Sequence, residues 1–181
     1  MLDTVSSGIP GVPWGRVGVI SRAAGYRALA VSGEVRTVAA CPFCEIVGGE
    51  RKQPFVYEDA VAVGFMCVPP ATPGHVLVVP RVHVADFWRL DEELAAHLMR
   101  VAHRLGAATR RALAPIGLNV RLNSGRRAGQ DVSHVHVHLV PRFADDTVQP
   151  GCVWGEPPWV PPPGGARERA RIAARIRAAL A

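Results

Sequence analysis

The sequence is short of lysine, of aromatic residues and of long apolar runs. Lys52 is the only lysine, so the net charge of +6 is carried by arginine. That balance favours an anionic partner, either a phosphate-bearing metabolite or nucleic acid. No apolar run reaches the roughly 20 residues that a membrane span needs. The start shows no basic stretch leading into an apolar one, so a signal peptide is not expected. There are four cysteines, Cys41, Cys44, Cys67 and Cys152, and only the first two have a telling spacing. A reduced, cytoplasmic setting is therefore expected, where a close cysteine pair points to metal binding or catalysis rather than to a disulfide. There is no internal repeat. With 181 residues, 49% of them hydrophobic, the chain can bury the core of one domain and carry extensions.

Residues 123–142, NSGRRAGQDVSHVHVHLVPR, organise the rest. His134, His136 and His138 alternate with Val135, Val137 and Leu139. Alternation with period two puts successive side chains on opposite faces of a strand. The aliphatic face reads as core. Three imidazoles on the other face would need several hydrogen-bond partners, so that face reads as a site. Directly upstream, GRRAGQ carries Gly125 and Gly129. Such a turn can aim backbone N–H groups inward and bind an anion.

The remaining elements follow from pattern. Residues 1–40 form an extension, with a hairpin expected in 26–38 around Ser32-Gly33. A short helix is expected over 45–49, ended by Gly48-Gly49. Strands are expected over 55–58, 60–65, 75–79 and 118–122. The long helix is 90–113, capped by Asp91, with Leu94, Leu98, Val101 and Leu105 as its core stripe. Pro115 and Gly117 stop it, and His97 and His103 read as surface or boundary residues. Residues 144–181 comprise a Pro- and Trp-rich loop and a basic helix over 166–180. That helix reads as a docking element with a solvated face, or alternatively as a nucleic-acid contact.

Cys41-Pro-Phe-Cys44 has three readings: half of a zinc site, a redox pair, or two unrelated thiols. Distant histidines could supply the other zinc ligands.

NSG, AGQ, HVHVHLVPR and the earlier PGHVLVVP resemble the histidine triad (HIT) superfamily of nucleotide hydrolases and transferases. The resemblance covers about residues 41–143. It implies an α+β fold, an antiparallel sheet of about five strands with one long helix, here extended by a C-terminal helix. It also implies a homodimer acting on a nucleotide substrate. His136 would attack the α-phosphorus and His138 would contact the phosphate. The Gln130 region would donate hydrogen bonds to phosphate oxygens. Asp131 would lie near the leaving group, donating a proton only if burial raised its pKa. His75 would support the triad. Phe43, Ile46, Val68 and Leu77 would line the nucleoside pocket, with Asn123 close to the phosphate. Cys67 departs from the family pattern, standing where an aspartate often binds the ribose hydroxyls.

The cysteine pair resembles that of the zinc-bearing branch, which implies a structural Zn2+ on Cys41, Cys44, His83 and His134. Strand geometry places His134 and His138 about 13 Å apart along the backbone, too far to share one zinc. A catalytic zinc on His134 and His136 is the alternative, and it leaves CxxC unexplained. Substrates could be nucleoside phosphoramidates, adenylated compounds or dinucleoside polyphosphates. Two other functions compete: a zinc-stabilised nucleotide-binding adaptor with little turnover, and a hydrolase that processes nucleic-acid ends.

Overall fold

The computed structural model describes residues 41–146 and 165–181. The expected hairpin in 26–38 and most of the 145–165 loop lie outside the described residues. Among the described residues no helix is long and apolar enough to cross a membrane.

The elements run α1 (Pro42–Gly48), β1 (Phe55–Glu58), β2 (Ala62–Met66), β3 (Val76–Pro80), α2 (Glu92–Leu113), β4 (Gly117–Leu122), β5 (Val137–Arg142) and α3 (Gly165–Ala178). The five strands form one antiparallel sheet in the order β1-β2-β3-β5-β4. This is the α+β architecture expected from the sequence.

Alternation sorts each strand between two layers. Ala62, Met66, Val76, Val78, Val135, Val137 and Leu139 face α2 and α3, where they meet Leu98, Val101, Leu105, Ile172 and Ile176. Val63, Phe65, Leu77 and Val79 face the other way, toward Cys41, Phe43, Cys44 and Ile46 at α1. Both faces of β2 and β3 are thus covered, and every residue in them is buried. Fully burying a side chain such as Leu105 or Ile176 contributes about 1.5–3 kcal/mol. Gly64 lets α2 approach the sheet, since a Cβ there would meet Leu105 Cδ1 at 2.7 Å.

The caps follow the sequence. Asp91 accepts from the N–H groups of Glu93 and Leu94, satisfying two orphan donors of α2. At the other end two arginines exchange places. Arg175 of α3 donates to Ala112 O at the end of α2, while Arg111 of α2 donates to Ala179 O, just beyond α3. Each helix thus supplies a cation for the negative end of the other. Arg177 binds Phe55 O on β1.

Most boundaries shift by one or two residues from expectation, and two of the differences bear on the site. α1 starts at Pro42 rather than at Glu45, because proline fits the first helical position and lacks only a donor that would be orphaned anyway. The ladder of β5 starts at Val137, so His134 and His136 lie in the segment that leads into it, with His134 in a bend whose N–H returns to Val132 O at 2.8 Å. The N–H of Val135 leaves the sheet and donates to Val84 O at 2.7 Å.

Candidate functional site

The site lies on the sheet face opposite the long helices. His134 is fully buried, and His136 and His138 are 4% exposed. Side-chain alternation survives the late start of β5, so the three imidazoles share this face while Val135, Val137 and Leu139 enter the core.

At one end, Cys41, Cys44, His83 and His134 bring two thiols and two imidazoles together, their ligand atoms all within 4.8 Å of one another. His134 Nδ1 is 3.5 Å from Cys41 Sγ and 3.6 Å from Cys44 Sγ, and His83 Nδ1 is 3.3 Å from Cys44 Sγ. Around a tetrahedral zinc with ordinary bond lengths, sulfur and nitrogen are separated by ~3.6 Å. The donor set and its spacing therefore fit that ion. His134 Nε2 donates to Pro80 O at 3.0 Å, which leaves Nδ1 without a proton and aimed at the thiols. Burial pushes the His134 pKa down to about 4, with His83 and His136 adding to the effect and the Pro80 bond opposing it. Burial also lowers that of His83. Neutral imidazoles are the form a metal takes.

Next to this cluster, His136 Nδ1 donates to His134 O at 2.7 Å. Nε2 then carries the lone pair, pointing away from its own backbone. Burial lowers the His136 pKa, against the opposing influences of that hydrogen bond and the Asp131 carboxylate. The rings of Phe43 and His136 form a T-shaped pair, with centroids 5.1 Å apart.

His138 belongs to a directed chain. The N–H of Ala71 donates to His75 Nδ1 at 3.0 Å, so the His75 proton sits on Nε2. His75 Nε2 lies 3.0 Å from His138 Nδ1 and donates to it. The His138 proton is thereby directed to Nε2. Burial drives both pKa values down to about 3, so both rings stay neutral. Repulsion that a neighbouring imidazole would exert if it too were protonated adds to this for both rings, and for His138 the Arg121 guanidinium does so as well.

The GRRAGQ loop is built differently from the expected cradle. Gly125 and Gly129 take φ values of 82° and 83°, as left-handed turns require. The N–H groups of Ala128, Gly129 and Gln130 turn back to carbonyls of the loop itself. Gln130 Nε2 donates to Ala85 O at 2.6 Å and to Val132 O at 2.9 Å, while Oε1 accepts from the Gly125 N–H at 2.7 Å. Both amide hydrogens are thus committed, and Gln130 holds the loop rather than offering donors to a ligand. Asn123 Nδ2 likewise bonds Gly129 O at 3.0 Å. Asp131 is exposed, so the burial it needed as a proton donor is missing. Asp86, Arg126, Gln130, Asp131 and Ser133 line a cavity of about 440 Å³ beside the loop.

Of the expected nucleoside-pocket residues, Phe43, Ile46, Cys67 and Leu77 share one buried cluster, while Val68 lies outside it at 48% exposure. The Cys67 thiol donates to Pro69 O at 3.3 Å, and burial pushes its pKa up to about 12.

The family model for the HIT domain matches residues 48–145, more than half of the chain. The chain belongs to the HIT family. A Bacillus subtilis relative, Protein hit, is 37% identical over 114 residues, spanning 63% of this chain and 78% of that protein. A Zn-bound histidine triad family protein from Mycobacterium smegmatis matches with a TM-score of 0.65 and 32% identity, over 78% of this chain and 93% of that one. A HIT family hydrolase from Legionella pneumophila matches at 0.50 and 32% identity, over 55% and 90% of the two chains.

Sequence reasoning gave no role to Arg121, which donates from Nε to Asn123 Oδ1 at 2.6 Å. The strand alternates Gly117, Asn119 and Arg121 with Leu118, Val120 and Leu122, so Arg121 falls on its polar face and breaks no pattern. Asp59 falls in the gap between the strands expected over 55–58 and 60–65. It accepts from Tyr57, Val61, Ala62 and His97, tying the β1–β2 turn to α2.

Proposed function

We propose that this HIT protein is a nucleotide hydrolase or transferase that works at the α-phosphate through a covalent nucleotidyl-His136 intermediate. One observation carries the reading: His136 Nδ1 is held by His134 O at 2.7 Å in a buried, neutral ring, which reserves Nε2 as a nucleophile. Nε2 forms a bond to the α-phosphorus, and the bond to the leaving group breaks with its electron pair. Water then attacks phosphorus, the P–N bond breaks, and the nucleoside monophosphate departs. His138, its proton directed to Nε2, suits a donor to phosphate oxygens. Phe43, Ile46 and Leu77 suit an apolar nucleoside pocket.

Cys41, Cys44, His83 and His134 would hold a structural zinc. Four protein ligands leave no open position, so the ion would tie α1 to the lead-in of β5 without taking part in the reaction. Arg175 and Arg177 of α3 are committed to carbonyls of α2 and β1, which removes these two from a nucleic-acid contact.

The test is covalent trapping. Brief incubation with a nucleotide labelled at the α-phosphate should leave label on the denatured protein, stable to alkali and labile to acid as a phosphoramidate is. His136→Ala should carry none. Turnover without labelled protein, and equal turnover by His136→Ala, would exclude the covalent route.

The expected homodimer is part of the proposal. β4 ends the sheet, and Met99, Ile116, Leu118 and Val120 are 50%, 75%, 38% and 49% exposed beside it. They line an apolar groove of about 850 Å³ between α2 and β4. A second copy would cover both groove and open edge. Sedimentation of Val120→Glu against the wild type tests this, and an unchanged monomer in both excludes it.

A further inference from the structure

Arg121 lies on the edge strand β4, directly beside His138 and on the same face of the sheet. The register aligns Phe65 with Leu77, Leu77 with His138 and His138 with Arg121, one row across four strands. Directly opposed residues share a face, with Cβ atoms about 4.5–5.5 Å apart. The row is apolar on the side of the proposed nucleoside pocket and cationic on the other side of His138. Arg121 is only partly exposed.

A second arginine on this face gives the contrast. Arg142 is neutralised by Asp146 through Nε at 2.9 Å and Nη2 at 2.8 Å, and its Nη1 binds Asn119. Among the described residues no carboxylate pairs with Arg121. Its Nε is fixed by Asn123 Oδ1 at 2.6 Å, which sets the plane of the guanidinium while both Nη groups keep their donors. Holding a half-buried cation without a counter-ion is costly unless a ligand supplies the negative charge. The planar, two-pronged donor matches the oxygens of a phosphate or a carboxylate.

We infer that Arg121 is a specificity-determining residue that binds an oxyanion on the leaving-group side of the substrate. This rests on the nucleotide-transfer reading above. With the nucleoside directed toward Phe43 and Leu77, the other substituent of the α-phosphate extends past His138 toward β4. Substrates whose leaving group carries a phosphate or a carboxylate are then preferred over neutral ones.

The first test is binding of AMP and ADP to the His136→Ala protein, where no covalent step interferes, with and without Arg121→Gln. With Arg121 present, the β-phosphate of ADP should improve affinity roughly ten- to a hundredfold over AMP, as charge-assisted hydrogen bonds allow. Arg121→Gln should erase most of that ratio, and Arg121→Lys should retain part of it. If AMP and ADP weaken by the same factor, Arg121 merely positions Asn123 and the inference fails while the nucleotide reading stands. If neither nucleotide binds the Arg121 protein, both fail. A second comparison identifies the source of the oxyanion. Turnover of an amino-acid phosphoramidate with a free carboxylate is measured against its carboxamide and against ADP. An Arg121-dependent preference for the carboxylate or for ADP names the leaving group, and no such preference in either arm overturns the inference.

Discussion

His75 Nε2 lies 3.0 Å from His138 Nδ1, and the proton between them belongs to His75, because the Ala71 N–H already occupies His75 Nδ1. One backbone amide therefore sets the tautomer of two buried rings in series. His75→Ala should free His138 to take the other tautomer. In a catalytic triad a wrong tautomer lowers kcat about 10⁴-fold. His75 stands one ring further back, so a loss on the order of 10–100-fold in kcat is expected, with a smaller change in KM. The 15N shifts of His138 should show proton exchange between its two nitrogens. An unchanged His138 tautomer in the variant would count against the relay even if activity fell.

The proposed nucleophile is separable from the fold. His136 belongs to the histidine face and not to the cluster under α2 and α3. His136→Ala should lose several orders of magnitude in turnover, as removing a covalent catalyst does, and keep a Tm close to that of the wild type. Near-normal activity in a folded His136→Ala protein would falsify the covalent mechanism.

The metal cluster predicts about one zinc per chain. Cys41→Ser and Cys44→Ser should lower both zinc content and Tm, as should a strong chelator. Structural zinc contributes apparent binding energies of roughly 10–16 kcal/mol in small peptides, part of which is folding energy. Chelation that removes the ion without moving the Tm would argue that the four residues are only neighbours.

How far the sequence foretold this site depended on how local each signal was. Asp91, the stripe of α2 and the alternation through Val135, Val137 and Leu139 are readable because each depends on neighbours in the chain. The partners of Gln130 are not readable. Ala85 lies far from it in sequence, and only the folded loop reveals that both amide hydrogens are committed there. Arg121 and Asp59 escaped for a related reason. A single charged residue in a short strand or turn carries no periodicity, and its role comes from His138 or His97 across the sheet or helix.

Asp59 supplies a pH prediction. Burial alone would raise its pKa, but hydrogen bonds from Tyr57, Ala62, Val61 and His97 outweigh it and hold the carboxyl below its usual value. A carboxylate depressed by folding stabilises above its unfolded pKa, near 3.9, and that contribution is lost as pH falls through the folded value. Asp59→Asn keeps an acceptor for the Val61 and Ala62 N–H groups but cannot ionise. The difference in Tm between wild type and Asp59→Asn should therefore be constant at pH 6–7 and shrink on acidification below about pH 4. A difference independent of pH down to the acid limit would remove ionisation from the account.

Cys67 decides a last matter, whether the proposed nucleoside pocket distinguishes ribose from deoxyribose. Its thiol stays protonated, since burial pushes the pKa to about 12, and it donates to Pro69 O at 3.3 Å. A protonated thiol turned toward a carbonyl offers no anionic acceptor for the 2′- and 3′-hydroxyls. Hydrogen bonds to a charged acceptor contribute on the order of 1.5–3 kcal/mol, or ten- to a hundredfold in kcat/KM. The wild type should therefore discriminate between a ribonucleotide and its 2′-deoxy counterpart by less than about tenfold. Cys67→Asp should add discrimination, but the new carboxyl inherits the burial of the thiol and faces the Pro69 carbonyl. Both disfavour its ionised form. The ribose preference of Cys67→Asp should accordingly grow between pH 6 and pH 8. Taking the ratio of kcat/KM for the matched pair cancels any ionisation shared by the two substrates. A wild type that already prefers the ribonucleotide more than tenfold would place the ribose contact on another residue. A Cys67→Asp protein with no preference at either pH would place the sugar away from this position.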